Sequence, residues 1–184
     1  MGGKSRGFSL LELMVTIAVL VILLTVAMPA WQTFVQNQRL ITTRDNLINA
    51  MSQARATAIN DDDVATICPY SASSSSSCGS SWSAGWVISE QLASGTVLLK
   101  SQPLVSGSSP TIGTLAAGTS SGTIASVSFN PRPPYVAVAQ TGDFRICDSR
   151  GASFALSFNL QSTGYVQSAA SAGATLSGAA LSCP

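Results

Sequence analysis

The 184-residue chain contains no histidine. That excludes His-based acid–base catalysis, Ser-His and Cys-His nucleophile pairs, and any His-ligated metal site. Charge is scarce too: 9% of residues are Asp, Glu, Lys or Arg, against about 25% in an average soluble domain. Nine basic and eight acidic side chains leave a formal charge of +1, which argues against a strongly basic nucleic-acid binder. No Cys-x-x-Cys pair occurs, so a zinc knuckle or thioredoxin-like site is disfavoured. Glu12 falls in an apolar segment and Glu90 in an expected strand, and no spaced carboxylate pair accompanies a nucleophile motif. The expectation is a non-enzymatic protein with no cofactor and no metal. What is abundant is serine, at 30 positions, with 15 glycines and a hydrophobic fraction of 46%. Such a composition points to an exported, β-rich domain with an apolar anchor.

The four cysteines are Cys68, Cys78, Cys147 and Cys183. An even number of widely spaced cysteines in an exported chain reads as disulfides. Three connectivities are open to four cysteines, and sequence alone does not choose among them. The expected pairing is Cys68 with Cys78, closing a short local loop, and Cys147 with Cys183, tying down the C-terminal tail.

Residues 1–7 are short and basic, with Lys4 and Arg6. From 13 to 30 run 18 residues without a charge, near the ~20 that a bilayer-spanning helix needs. The basic residues favour holding the N-terminus in the cytoplasm. An ordinary signal peptide has a shorter apolar stretch ending in an Ala-x-Ala-like site, and no clear one ends this run. A plain membrane anchor fits the length but leaves Glu12 unexplained. A carboxylate in such a segment costs about 2.5–3.5 kcal/mol on insertion scales and marks a functional position.

A third reading accounts for Glu12. Arg6-Gly7-Phe8-Ser9-Leu10-Leu11-Glu12-Leu13 resembles the leader and cleavage site of type IV prepilins and type II secretion pseudopilins. The resemblance implies that a prepilin peptidase cuts between Gly7 and Phe8 and methylates the new amine of Phe8. The cut precedes the apolar segment, so the helix is retained. Gly7, without a side chain, lets the peptide lie extended in a tight protease site. In a fibre, Glu12 can pair with the Phe8 amine of a neighbouring subunit, offsetting two charges otherwise stranded in an apolar core. Pilins carry a proline at the position of Pro29. A helix-interior proline removes one backbone hydrogen bond, so a kink is expected there.

Beyond Pro29, Trp31, Phe34, Val35, Leu40, Ile41, Leu47, Ile48, Met51, Ala54, Ala58 and Ile59 recur at steps of three and four, with polar residues between them. The spacing predicts one amphipathic helix to about Asn60, ended by a solvated Asp61-Asp62-Asp63 turn. Its apolar stripe needs a sheet to cover it. After Asp63 the pattern predicts strands at 64–69, 85–89, 96–100, 123–129, 135–139, 143–147, 154–160 and 164–168. Residues 71–83 read as a Ser-rich loop too polar to pack, and 106–122 as a long loop of weak strand character. Pro131, Pro133 and Pro134 exclude a central strand at their positions.

Ile67-Cys68-Pro69, Gly85-Trp86-Val87, Phe129-Asn130-Pro131, Phe144-Arg145-Ile146-Cys147 through Gly151, and Ser162-Thr163-Gly164-Tyr165-Val166 follow the order of landmarks in the GspH/FimT family, to which the chain is similar over nearly its whole length. The family comprises H-type pseudopilins and minor type IV pilins. The resemblance implies an α+β, type IV pilin-like fold, with a long N-terminal helix packed on a domain of two antiparallel sheets. The expected segments are a leader at 1–7, a transmembrane and assembly half-helix at 8–30, an amphipathic half at 31–60 and a β-rich domain at 61–184. It further implies a structural subunit of a fibre, either a minor pilin that primes assembly near the tip or a type II pseudopilin. The partners so implied are other minor and major pilins through the N-terminal helix, the prepilin peptidase, the inner-membrane assembly platform, and the inner membrane before assembly. The implied location is a single-pass inner-membrane protein with its globular domain in the periplasm, then the fibre.

Some members bind DNA through a Gly-Arg-x-Arg pattern in the last hairpin. This chain has Gly164-Tyr165-Val166-Gln167 there, without a cation, which weakens that reading because phosphate contacts supply most non-specific affinity. Arg132, Arg145 and Arg150 are the remaining candidate DNA contacts. Each is more readily a surface charge or a partner of a nearby aspartate.

Overall fold

The structure, a computed structural model, describes residues 8–72, 77–104, 110–119, 121–133 and 135–183, and within the helix it describes the backbone but not the side chains of Val26 and Pro29. Gly7 and the leader lie outside the described residues. The chain divides into two units, Met1–Gln38 and Arg39–Pro184. The second therefore takes in the latter half of the helix rather than starting at Asp61.

Helix α1 runs Leu10–Asp61, 52 residues, and the backbone remains helical through Pro29. Every described side chain from Phe8 to Phe34 is exposed, as an apolar segment without its lipid or helix neighbours must be. In the second unit α1 is two-faced: Leu40, Thr43, Leu47, Ala50, Met51, Ala54 and Ala58 are buried, at the three- and four-residue steps of one helical face. The expected stripe is corrected at its ends. Trp31, Phe34 and Ile59 are 66%, 56% and 46% exposed, because burial begins only at Leu40. Asp62 ends the helix in the left-handed region, at φ 56°, which aspartate tolerates better than most residues.

Two four-stranded antiparallel sheets follow. The first has the order β3-β2-β1-β5, the second β4-β6-β7-β8. Their strands are β1 (Val64–Pro69), β2 (Gly85–Leu92), β3 (Gly95–Pro103), β4 (Thr111–Ala116), β5 (Val127–Phe129), β6 (Gly142–Cys147), β7 (Leu156–Leu160) and β8 (Val166–Ser168). This is the α+β, pilin-like architecture expected. One apolar cluster joins the buried face of α1 to Ile67, Trp86, Ile88, Val127, Phe129, Phe144, Ile146, Phe158 and Leu160 of the sheets. Within it Phe144 stacks on Phe158 at 5.0 Å and meets Trp82 edge-on at 5.3 Å, both favoured ring geometries.

Four expectations change. Residues 71–83 do pack at their end: Trp82, in the one-turn helix Trp82–Ala84, is buried, and its indole N–H donates to the Ile124 carbonyl at 2.7 Å. One large aromatic outweighs the polarity of the serines around it. A true strand, β4, lies inside 106–122, where Ile112, Thr114 and Ala116 alternate inward. Its period is masked by small residues. No strand forms at 135–139: Val138–Gln140 is a single 3-10 turn, and the segment's backbone is tied instead by isolated bonds, the Val136 N–H donating to the Ser162 carbonyl and the Tyr135 carbonyl accepting from the Asn130 N–H. Finally, 123–129, 154–160 and 164–168 contribute strands only at their C-terminal ends.

Gly85 opens β2 at φ +108°, and a Cβ there would collide with the Gln102 carbonyl of β3. Only glycine fits both the dihedral and that close approach. The structure joins Cys68 to Cys78 across 5.5 Å and Cys147 to Cys183 across 5.9 Å between α-carbons.

Candidate functional site

The first candidate site is the N-terminal end of α1. Phe8 stands two residues ahead of the first helical residue and is 76% exposed. Glu12 lies in the first turn of α1, where a carboxylate also favours the positive end of the helix dipole. Phe8 and Glu12 are thus presented at one end of an apolar rod. An 18-residue window of α1 is apolar enough to cross a membrane, and none of it is buried. Pro29, the other assembly candidate, lies in the same unit.

The arginines separate. Arg132 is 82% exposed and pairs with Asp62 at 3.3 Å, an exposed contact worth little. Arg145, on β6, donates to the Ser182 carbonyl and hydroxyl at 3.0 and 2.8 Å and to the Thr114 carbonyl at 3.3 Å. It buckles the C-terminal tail to the second sheet beside the Cys147–Cys183 bridge. Arg150 grips Asp148 at 2.6 Å and lies 4.5 Å over the Phe154 ring. Burial pushes the Asp148 carboxyl up, but its hydrogen bonds from Arg150, with the attraction of that charge, hold it net below the usual carboxylate range. Two of the three thus carry internal structure.

Two features were not anticipated. An open groove of about 420 Å³ is lined by Ile48, Arg55, Ile59, Gly164, Tyr165 and Val166. The Arg55 guanidinium lies 5.3 Å over the Tyr135 ring. Gly164, at φ +72°, closes on Arg55, whose Cδ would sit 3.1 Å from an added Cβ. The Gly164-Tyr165 landmark marked the hairpin, but nothing in the spacing tied it to position 55.

The second is Glu90 of β2, buried, with Oε1 lacking any hydrogen-bond partner among the described residues. Burial pushes its carboxyl up, reinforced by a hydrogen bond with Asp61 and by the charges of Asp61 and Asp63. A folded-state pKa above the unfolded value means that the folded chain binds the extra proton. Stability from this group is full at acid pH and is lost as pH rises through the raised value. Glu90→Gln should therefore raise the melting temperature at neutral pH and flatten its fall as pH rises above the ordinary carboxylate range. An unchanged pH profile in thermal melts would refute the coupling.

Comparison with known proteins follows the same lines. The model for GspH, a type II transport protein, matches residues 43–164, and that for the prokaryotic N-terminal methylation motif matches residues 3–28. No curated protein matches significantly. Among solved structures, the type IV minor pilin FimU of Pseudomonas aeruginosa PAO1 is similar in two crystal forms. The P21 form is 18% identical, with a TM-score of 0.52 over 73% of this chain and 91% of that one. The P65 form is also 18% identical, with a TM-score of 0.50 over 70% and 91%. At that identity the likeness shows the shared pilin fold. With the GspH match spanning well over half of the chain and a methylation motif on its apolar helix, the chain belongs to the GspH family of pilin-like structural subunits.

Proposed function

We propose that this protein is a minor type IV pilin that helps prime pilus assembly and sits near the fibre tip. The observation that carries the reading is the continuity of α1: one helix bears the methylation motif and its Glu12 at one end and the core face of a GspH-type domain at the other. Such a chain is inserted in the inner membrane through the apolar half of α1, with its globular domain in the periplasm. It is cut between Gly7 and Phe8 by the prepilin peptidase, methylated on Phe8 and taken up from the assembly platform by other pilins. The sparse charge and the Ser-rich stretches favour a tip position over a tightly repeated shaft. The GspH description favours one further reading, an H-type pseudopilin of a type II secretion system; both predict the same processing and packing. DNA binding gains little support, since the last hairpin has no cation and Arg145 and Arg150 are engaged internally.

Deleting the gene should reduce fibre number without altering the diameter of the remaining fibres, and immunogold label should fall at fibre ends. Dense, regular label along the shaft would mark a major pilin and overturn the assignment.

A further inference from the structure

Polarity changes sharply within the first unit of the chain. Residues 13–30 carry no charge, whereas Gln32, Thr33, Gln36, Asn37, Gln38 and Arg39 make the following turns polar. Two large aromatic side chains stand on that boundary, Trp31 and Phe34, 66% and 56% exposed. They lie about one helical turn apart, and their rings meet at 5.9 Å in a tilted pair, so they form one ledge on the side of α1. The Trp31 indole N–H has no partner among the described residues. The buried Trp82 differs, since its N–H donates to a carbonyl.

We infer that this ledge is a membrane-interface anchor, and that its occupant is the boundary between acyl chains and headgroups of the periplasmic leaflet. The inference rests on the membrane-inserted reading above and adds the depth at which the helix is held. An indole has an apolar body and a single donor. That suits a layer with hydrocarbon on one side and water and ester oxygens on the other. Packing on another apolar helix would cover the rings but leave the N–H without an acceptor, because helix carbonyls are used within their own helix.

The spacing along α1 agrees. Glu12 and Trp31 are 19 residues apart, about 28 Å at 1.5 Å per residue, against about 30 Å of hydrocarbon. With Trp31 held at one interface, Glu12 falls at the other, beside water, with Phe8 beyond it. The carboxylate is then solvated while the subunit is in the membrane, and needs a cationic partner only when helices bundle. An apolar run by itself fixes no such height, because a helix can tilt or shift to match its bilayer; flanking aromatic anchors set it.

The test uses the full-length chain in phosphatidylcholine vesicles whose acyl chains carry bromine, a contact quencher of indole, at graded depths. Quenching should be strongest for bromine nearest the headgroups and fall toward the chain ends. Trp31→Phe should abolish it, since Trp82 and Trp86 are 4% and 2% exposed and belong to the other unit. Val21→Trp in the Trp31→Phe chain, about 15 Å deeper on the same helix, should invert the order. Replacing both rings, as Trp31→Ser with Phe34→Ser, should cut the depth contrast seen by the Trp at position 21 to about half or less, because the height is no longer fixed. Strongest quenching of Trp31 by chain-end bromine, no quenching of Trp31 in vesicle-bound chain, or a depth profile indifferent to the loss of both rings would each overturn the inference. A chain that does not float with the vesicles would instead refute the membrane-inserted reading on which it rests.

Discussion

Glu12→Ala should leave membrane insertion intact and cut recovery of the protein in fibres more than tenfold. Insertion is spared because the substitution removes a charge from an apolar segment, a change that insertion scales favour. Assembly depends on a second consequence. The proposed cleavage before Phe8 would create a cationic amine at the head of a helix whose described side chains down to Phe34 are exposed and mainly apolar. When such helices bundle, that amine leaves water, and a neighbour's Glu12 is the one carboxylate of the segment able to meet it. Removing one partner of a buried ion pair costs about 3–5 kcal/mol, because the other charge is left uncompensated. Each 1.4 kcal/mol is about tenfold in an equilibrium. Glu12→Gln, which keeps the shape and an acceptor, should fall between the two. Comparing membrane and sheared-fibre fractions by immunoblot decides the matter; Glu12→Ala fibres with normal amounts of the protein would show that the pairing is not used.

The second large effect concerns the Cys147–Cys183 bridge. Its half-cystines are 36 residues apart, against 10 for Cys68–Cys78. Loop-closure entropy then gives about 4 kcal/mol for the longer loop and about 2.7 kcal/mol for the shorter. The longer bridge also anchors the end of the tail, beside the ties of Ser182 to Arg145, the Leu181 amide to the Gly173 carbonyl, and the small cluster of Cys147, Ala155 and Leu181. Since a domain has only about 5–15 kcal/mol in total, Cys147→Ser with Cys183→Ser should lower the melting temperature by roughly 8–16 °C. Cys68→Ser with Cys78→Ser should lower it less. Thermal melts of the two double variants test the order, and a larger loss from the Cys68 pair would contradict it.

Where the physics is local, the sequence was readable. The three- and four-residue steps from Leu40 to Ala58 located the buried face of α1, and the alternation in 143–147 located β6. It misled where packing partners decide. Trp31 and Phe34 continue the apolar spacing but stay exposed. Trp82, among serines, is a core residue because Ile124 and Phe144, more than 40 positions away, receive it. Of the candidate site, the methylation motif over residues 3–28 was legible because a processing signal is linear. The Arg55–Gly164 groove and the Glu90–Asp61 contact were not, since each arises from tertiary placement. Arg145 shows the same limit: its charge was visible, but its employment as a clasp on Ser182 depends on a disulfide-held tail.

The central claim is that this chain is processed and used as a pilin-like subunit, and the intact mass of the protein extracted from membranes and from sheared fibres tests it most directly. Loss of seven residues from 184 leaves a mature chain of 177. The account predicts the mass of a chain beginning at Phe8, with one added methyl group and two disulfides, in both fractions. The mass of the uncut chain in fibres, or of a chain cut after residue 25 with the apolar helix removed, would contradict it.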